Sequence, residues 1–265
     1  QAEDGIRDVE RSRGLGDVYK RQVLIRVGGI ISTAPVFGSS NTPPQMKVVI
    51  SLMLALILYP FIPSITVFPN RPDHYIVLIA SELLIGMVLG IIARFLFGAV
   101  EFAGTVIGFQ MGLGMANVFD PQSQEQVSLV GRFESTTATL IFLAMDGHLI
   151  VLQALVRSYS VLPPGGSSIS RPLIEKLTEL SASVFVIGLQ IGAPLIVALF
   201  LANAVVGLLA RSVPQIQVFV VGFPLTLMLG FLFLLFGMPF FAQAVHQMFE
   251  KLDTQYFEAL KLLGG

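Results

Sequence analysis

Long apolar stretches without a single charged residue dominate this chain. The stretches at 184–210, 216–241 and 48–68 contain no Asp, Glu, Lys or Arg. About 20 apolar residues in a helix suffice to cross a hydrocarbon core of roughly 30 Å. Surfaces this apolar cannot face water, so lipid or partner subunits must cover them. The sequence therefore predicts an integral membrane protein.

The same stretches predict helices rather than strands. They are continuous instead of alternating, and Leu, Ala, Gly and Met dominate over a period-two pattern of Val and Thr. Further apolar blocks lie at 23–37, 76–97, 102–119 and 138–156. We expect an all-α fold with about five to six apolar helical segments, some of them kinked or broken. Lys and Arg fall in breaks on both sides of the blocks, which indicates that some blocks are buried among other subunits.

The two ends of the chain differ from its middle. Residues 1–22 carry ten charged side chains, and we favour a foreign origin for them, as translated adapter DNA, which would remove the native start. A solvated cytoplasmic tail and an interfacial amphipathic segment are the alternatives. A membrane domain is predicted over 23–241, and an amphipathic C-terminal helix over 242–265.

Composition excludes several classes of function. The net charge is −1, so no basic surface for nucleic acid is expected. The chain has no Cys, and His74, His148 and His246 are too scattered to predict a metal site. No phosphate-binding glycine loop is followed by Lys and Ser or Thr. We expect neither a metal nor a cofactor.

Glycines recur at four-residue spacing in three places. The pairs and series are Gly86 and Gly90; Gly104, Gly108 and Gly112; and Gly188 and Gly192. Small residues at this spacing predict close helix packing in a membrane. The second series continues with Gly114, which is too much glycine for a rigid helix end. Together with Met111, Met115 and Phe119, it predicts a pliable apolar segment that seals a pore by shape.

Ionisable residues inside apolar blocks are costly and raise the question of catalysis or transport. They are Glu82, Arg94, Glu101, Asp146 and His148. Asp146 and His148 project from different helix faces unless Gly147 breaks the helix. An intramembrane protease would need a second mid-span Asp or a serine nucleophile, so we expect no enzyme. Polar contacts between helices are preferred, and ion-coupled transport near helices broken at Pro194 and Pro224 is the alternative.

Five motifs, taken in order, resemble the FliR family of type III export-gate subunits. They are APVFGSSNTPPQMKV at 34–48, ELLIGMVLG at 82–90, GFQMGLGMANVFDPQSQ at 108–124, FLAMDGHLIVLQAL at 142–155 and NAVVGLLARSVPQIQVFVVGFPLT at 203–226. The residues that match the family pattern are Asp120, Pro121, Asp146, Gly147, His148, Asn203, Arg211, Pro214, Gln215, Phe219, Gly222, Phe223 and Pro224. Gln217 departs from it, because Asn is expected there.

This resemblance implies a structural and channel-wall subunit of the flagellar protein export gate, built from helical hairpins in a hetero-oligomer. FliP, FliQ and FlhB are the implied partners, together with membrane lipid and the unfolded proteins that are exported. The implied location is the bacterial inner membrane, in the flagellar basal body. The segment with Gly108, Met111, Gly112, Gly114, Met115 and Phe119 is implied to plug the closed pore. A virulence-type export gate and a stand-alone ion-coupled transporter are the alternatives.

Overall fold

All regular elements that the computed structural model describes are helical. It describes residues 22–35, 38, 42–62, 72–115, 128–162, 170–212 and 218–264. The α-helices of this part of the chain are α1 (Gln22–Thr33), α2 (Pro44–Leu58), α3 (Pro72–Gln110), α4 (Leu129–Ala144), α5 (Gly147–Val161), α6 (Arg171–Ser212), α7 (Val218–Glu250) and α8 (Leu252–Gly264). Short 3₁₀ helices follow α2 at Tyr59–Phe61 and α3 at Leu113–Met115.

The prediction of an all-α integral membrane protein is confirmed. Four helical stretches of the described chain are long and apolar enough to cross a membrane: Pro44–Phe61, Tyr75–Gln110, Arg171–Leu209 and Gly222–Gly264. The number rises to five if α4 and α5, which are separated by a bend, count as one broken span. The described helices thus fit the predicted set of apolar segments with at least one break.

Helix α3 joins two blocks that the sequence analysis treated as separate. The blocks at 76–97 and 102–119 were divided by Glu101, yet the helix continues without interruption to Gln110. Glu is a good helix former, and the Glu101 side chain is exposed, so the helix keeps its charge out of the protein interior. The helix ends only where the glycine-rich segment begins.

Two proline residues do not break their helices. Pro194 lies inside α6 and Pro224 inside α7, and both helices continue past them. A proline removes one backbone hydrogen bond, which neighbouring helices in a membrane protein can tolerate. A break does occur at Met145 and Asp146, which separate α4 from α5.

The structure divides into two compact units, of which the first contains residues within 1–94, 148–178 and 251–265. Its helix α1 is largely buried and crosses α3 closely. A Cβ atom added at Gly29 would lie 2.9 Å from the carbonyl oxygen of Leu83, and one at Gly86 would overlap the carbonyl oxygen of Arg26. At Gly90 it would overlap the Thr33 side chain. The packing interpretation of the first glycine pair is therefore confirmed.

Helix α8 packs in the same unit through one face. Its buried residues are Leu252, Tyr256, Ala259, Leu260 and Leu263, which recur at helical spacing. The Ser170 hydroxyl donates to the Leu262 carbonyl at 2.7 Å, and the Lys176 ammonium lies 3.0 Å from the Glu258 carboxylate. These contacts fix the C-terminal helix against the start of α6.

The second unit contains residues 95–147 and 179–250. Its apolar core is formed by Ile107, Met111, Val130, Leu195, Leu199 and Leu234, from α4, α6, α7 and the end of α3. The rings of Phe97, Phe142 and Phe249 pack together with centroids 5.0–5.5 Å apart. Gly188 and Gly192 of α6 face α3 at Ala99 and Ala103, so the third glycine pair is also a packing contact.

Many large apolar side chains remain exposed on the helices. Examples are Val48, Met53, Leu56 and Ile57 on α2 and Met228, Leu235 and Phe236 on α7. Soluble monomers rarely expose apolar surface on this scale. The single chain is therefore covered by lipid or by other subunits in its working form.

Candidate functional site, the glycine-rich segment after helix α3

The glycines near the end of α3 serve two different purposes. At Gly104 an added Cβ would lie 2.6 Å from Gly131 Cα, and at Gly108 it would lie 2.5 Å from Ser128 Oγ. The Ser128 hydroxyl donates to the Gly104 carbonyl at 3.2 Å and accepts from the Gly131 amide, which caps α4. Gly104 and Gly108 are thus required for the close crossing of α3 and α4.

Gly112 serves the second purpose, which is to turn the chain. Its φ of +85° lies in the left-handed region that glycine adopts without steric cost. A Cβ atom at this position would also lie 3.1 Å from the Phe223 ring of α7. The chain therefore turns at Gly112, directly after α3, and the 3₁₀ turn Leu113–Met115 follows it.

Other residues of the predicted plug lie in different surroundings. The Met111 side chain is fully buried in the core of the second unit. Gly114 is half-buried, with the Phe109 ring 3.1 Å from an added Cβ. Met115 ends the 3₁₀ turn, and Phe119, Asp120 and Pro121 lie outside the described residues. The role of this segment as a pore plug stays a prediction.

The family-pattern residues of α6 and α7 partly converge on the same place. The Asn203 side-chain amide donates to the Gln110 carbonyl at 3.0 Å, and the half-exposed Phe223 ring lies beside Gly112. Gly222 is buried and Pro224 is exposed, both in α7. Of the others, Arg211 is exposed in the last turn of α6, Phe219 lies in α7, and Pro214 and Gln215 lie outside the described residues.

The Asp-Gly-His motif forms a turn between α4 and α5. Asp146 is exposed and has a φ of +58°, which is uncommon for a residue with a side chain. A Cβ added at Gly147 would overlap the Phe142 ring, so glycine is required there. The helix is broken at this motif, as the alternative in the sequence analysis allowed. His148 lies at the start of α5, and its Nδ1 atom is buried without a hydrogen-bond partner in the described part of the chain.

A buried ion pair was missed by the sequence analysis. Arg26 of α1 donates through Nε to Glu82 of α3 at 2.6 Å, and both side chains are 0% exposed. The same guanidinium donates to Ser158 Oγ at 2.8 Å and to the Leu162 carbonyl at 3.2 Å, and it stacks on the Tyr159 ring at 3.9 Å. Arg26 was not counted among the intramembrane charges, although opposite charges in two apolar blocks are a signal of pairing.

Gly230 and Glu134 were also missed. Gly230 has no partner at the four-residue spacing that drew attention to the other glycines, yet Met111 fills the space above it. Glu134 is buried at the crossing of α3 and α4, 2.8 Å from a Cβ added at Gly104, although its sequence position is a polar break. Within the described ranges, no group of three or more His, Asp or Glu side chains is arranged to hold a metal ion. The arrangement around Gly112 thus consists of apolar packing and a left-handed turn of the backbone.

Comparison with known proteins assigns the family. The family of bacterial export proteins, family 1, matches residues 22–252, which is most of the chain. The chain belongs to this family. It is an integral membrane protein of a bacterial export system, the class that its helices and motifs indicated.

Individual relatives confirm the resemblance to the FliR family. The chain is 35% identical to the flagellar biosynthetic protein FliR of Escherichia coli K12 over 229 residues, 86% of this chain and 87% of the relative. It is 34% identical to FliR of Bacillus subtilis 168 over 251 residues, 91% and 94% of the two chains. FliR of Aquifex aeolicus is 32% identical over 81% of this chain and 83% of its own.

Proposed function

We propose that this chain is a structural and channel-wall subunit of a flagellar type III protein export gate, through which unfolded flagellar proteins pass. The observation that carries the proposal is the build of the glycine-rich segment, which leaves a packed helix end at Gly112 and continues as apolar chain. A segment that is fixed at one end and carries Gly114, Met115 and Phe119 beyond it can cover an opening and be displaced by a passing chain.

The flagellar form of the proposal is supported by the relatives, which carry the name of the flagellar protein. The alternative of an ion-coupled transporter receives less support. It would use helices broken at Pro194 and Pro224, whereas α6 and α7 continue past these two prolines.

Partners are expected because the chain exposes so much apolar surface. Helix α2 alone presents seven large apolar side chains that are about half exposed or more: Met46, Val48, Val49, Leu52, Met53, Leu56 and Ile57. We propose that FliP, FliQ and FlhB, together with lipid of the inner membrane in the flagellar basal body, cover these surfaces. The chain needs no catalytic chemistry for this role.

Co-purification tests the assembly. The chain is co-expressed with tagged FliP and FliQ from the same source and extracted in mild detergent. The proposal predicts a stable complex that contains this chain as a minor subunit. A monodisperse chain that binds neither protein would contradict the proposal, and transport by the purified chain would then be measured.

Ion conductance tests the seal. Replacing Met115 and Phe119 by Ala together removes apolar bulk from the segment beyond Gly112, so closed gates should leak ions. The matched control replaces Met46 and Phe61, which are exposed residues of the same types in α2 and the turn after it. Equal conductance in the two double variants would refute the role of the segment as a seal.

A further inference from the structure

The C-terminal end of α3 is capped by a side chain 93 positions away in the sequence. The Asn203 amide nitrogen of α6 donates to the Gln110 carbonyl oxygen at 3.0 Å. Gln110 is the last residue of α3, and the carbonyls of a final helical turn have no partner within their own helix. Asn203 of α6 therefore supplies the hydrogen bond that the Gln110 carbonyl does not receive within α3.

The next residue along the chain is held in a socket. The Met111 side chain is 0% exposed and lies over Gly230 of α7. A Cβ atom added at Gly230 would lie 2.5 Å from Met111 Cγ, 2.6 Å from Cε and 2.8 Å from Sδ. A side chain at position 230 would therefore have to displace Met111 from its present place, so the contact depends on both residues.

Gly112 then turns the chain out of the helix direction, with φ +85°. The positions of three successive residues are thus fixed in three different ways. Gln110 accepts a hydrogen bond from α6, Met111 packs over Gly230 of α7, and Gly112 adopts a left-handed backbone conformation. Asn203 stands in a stretch, 184–210, without a charged residue, where an unbonded amide would be costly.

We infer that Asn203 and the Met111–Gly230 contact form a latch that holds the start of the glycine-rich segment, the turn Leu113–Met115, against the core of the second unit. The inference rests on the proposed function, in which this segment seals the gate. One hydrogen bond and the burial of one Met side chain contribute little compared with the stability of a whole fold, so the latch can open without unfolding the helices. Opening the latch releases the start of the segment, which then moves away from the core.

Cysteine labelling reports on the latch, because the chain contains no Cys of its own. Leu113, which packs against the core just beyond the latch, is replaced by Cys in the assembled gate. Asn203→Leu removes the donor at similar volume and should raise the rate of maleimide labelling at position 113 by roughly fivefold. The matched control is Gln190→Leu, which removes an exposed amide from the same helix and should leave the rate unchanged.

A second reporter separates latch opening from general loosening. Ser81→Cys is nearly isosteric at a buried position of α3. Latch opening raises labelling at position 113 alone, whereas a destabilised protein is labelled at both positions, and this second outcome would overturn the inference.

The socket is tested independently of Asn203. Gly230→Ala should also raise labelling at position 113, because the new methyl group displaces the Met111 side chain. Met111→Ala alone should raise labelling as well, because it deletes the side chain that lies over Gly230 and so removes the same contact. A Gly230→Ala gate that assembles and is labelled at the original rate would overturn the socket.

Ion conductance of the same Asn203→Leu gate separates the latch from the proposed seal. Faster labelling together with a leak supports both. Faster labelling without a leak supports the latch and refutes the seal. Unchanged labelling overturns the latch, whether or not the gate leaks.

Discussion

Replacing Glu82 by Gln should destabilise the protein strongly, because it breaks a buried ion pair. The substitution keeps the volume and one acceptor beside Arg26, but it removes the negative charge. Arg26 is 0% exposed and is held by the Ser158 hydroxyl and the Leu162 carbonyl, so its charge cannot turn outward to water. An unpaired buried charge is the consequence.

The expected magnitude follows from the burial of both partners. Removing one member of a buried ion pair costs about 3–5 kcal/mol, because the remaining charge is left without compensation. For a chain of this size, 1 kcal/mol lowers the thermal midpoint by roughly 2–4 °C. Glu82→Gln should therefore lower the midpoint by roughly 6–20 °C.

Heating of the detergent-extracted complex measures this shift. The chain has no Trp, so a C-terminal fluorescent tag and size-exclusion chromatography after each heating step replace intrinsic fluorescence. The matched control is Glu175→Gln, which breaks the Arg171–Glu175 pair at 2.9 Å on the surface of α6, where the side chains are 89% and 65% exposed. That change should shift the midpoint by at most about 2 °C.

Two results would refute the reasoning. The first is a Glu82→Gln shift no larger than that of Glu175→Gln, which would mean that Arg26 finds other compensation. The second comes from the double variant Arg26→Met with Glu82→Leu. It buries no charge and should lose less stability than Glu82→Gln alone. An equal or larger loss would show that shape rather than charge matters at this site.

The remaining predictions use the same heating assay. Gly86→Ala should lower the midpoint, because the methyl group would overlap a backbone carbonyl of α1, whereas Gly207→Ala, which has open space around it, should raise stability by up to about 1 kcal/mol. A reversed order would refute the packing argument. Asp146→Val should cost about 1–2 kcal/mol because of the left-handed backbone, and Asp146→Gly should be neutral. Asp146→Asn should leave flagellar motility intact, whereas a transporter that uses this carboxylate would fail. Phe249→Ala should cost about 3–5 kcal/mol through loss of the ring cluster, and the exposed Phe240→Ala much less.

Both the glycine-rich segment and the Asp-Gly-His turn show why family-pattern residues need not share one role. Gly147 is required because the Phe142 ring occupies the place of its side chain, and Gly112 because the chain turns there. Gly104 is required for a third reason, because α4 crosses α3 so closely that a side chain at this position would collide with the α4 backbone. A different steric constraint thus acts on each of these three glycines.

The sequence alone determined the helical membrane fold, the close packing at the glycine pairs and the need for glycine where the chain turns at position 112. These properties depend on local features, namely the length of apolar runs, the helical spacing of small residues and the conformational freedom of glycine. The breaks at Pro194 and Pro224 that the transporter alternative would use are absent, because a proline weakens a helix locally while the surrounding protein decides whether the helix ends.

Only the tertiary structure decided which distant residues meet. Arg26 and Glu82 are 56 positions apart, and Gln110 and Asn203 are 93 apart. Whether two such residues face each other depends on the register and the angle at which their helices cross, and no local pattern in the sequence encodes either quantity. The buried ion pair and the cap at the end of α3 therefore became visible only once the helices were packed against one another.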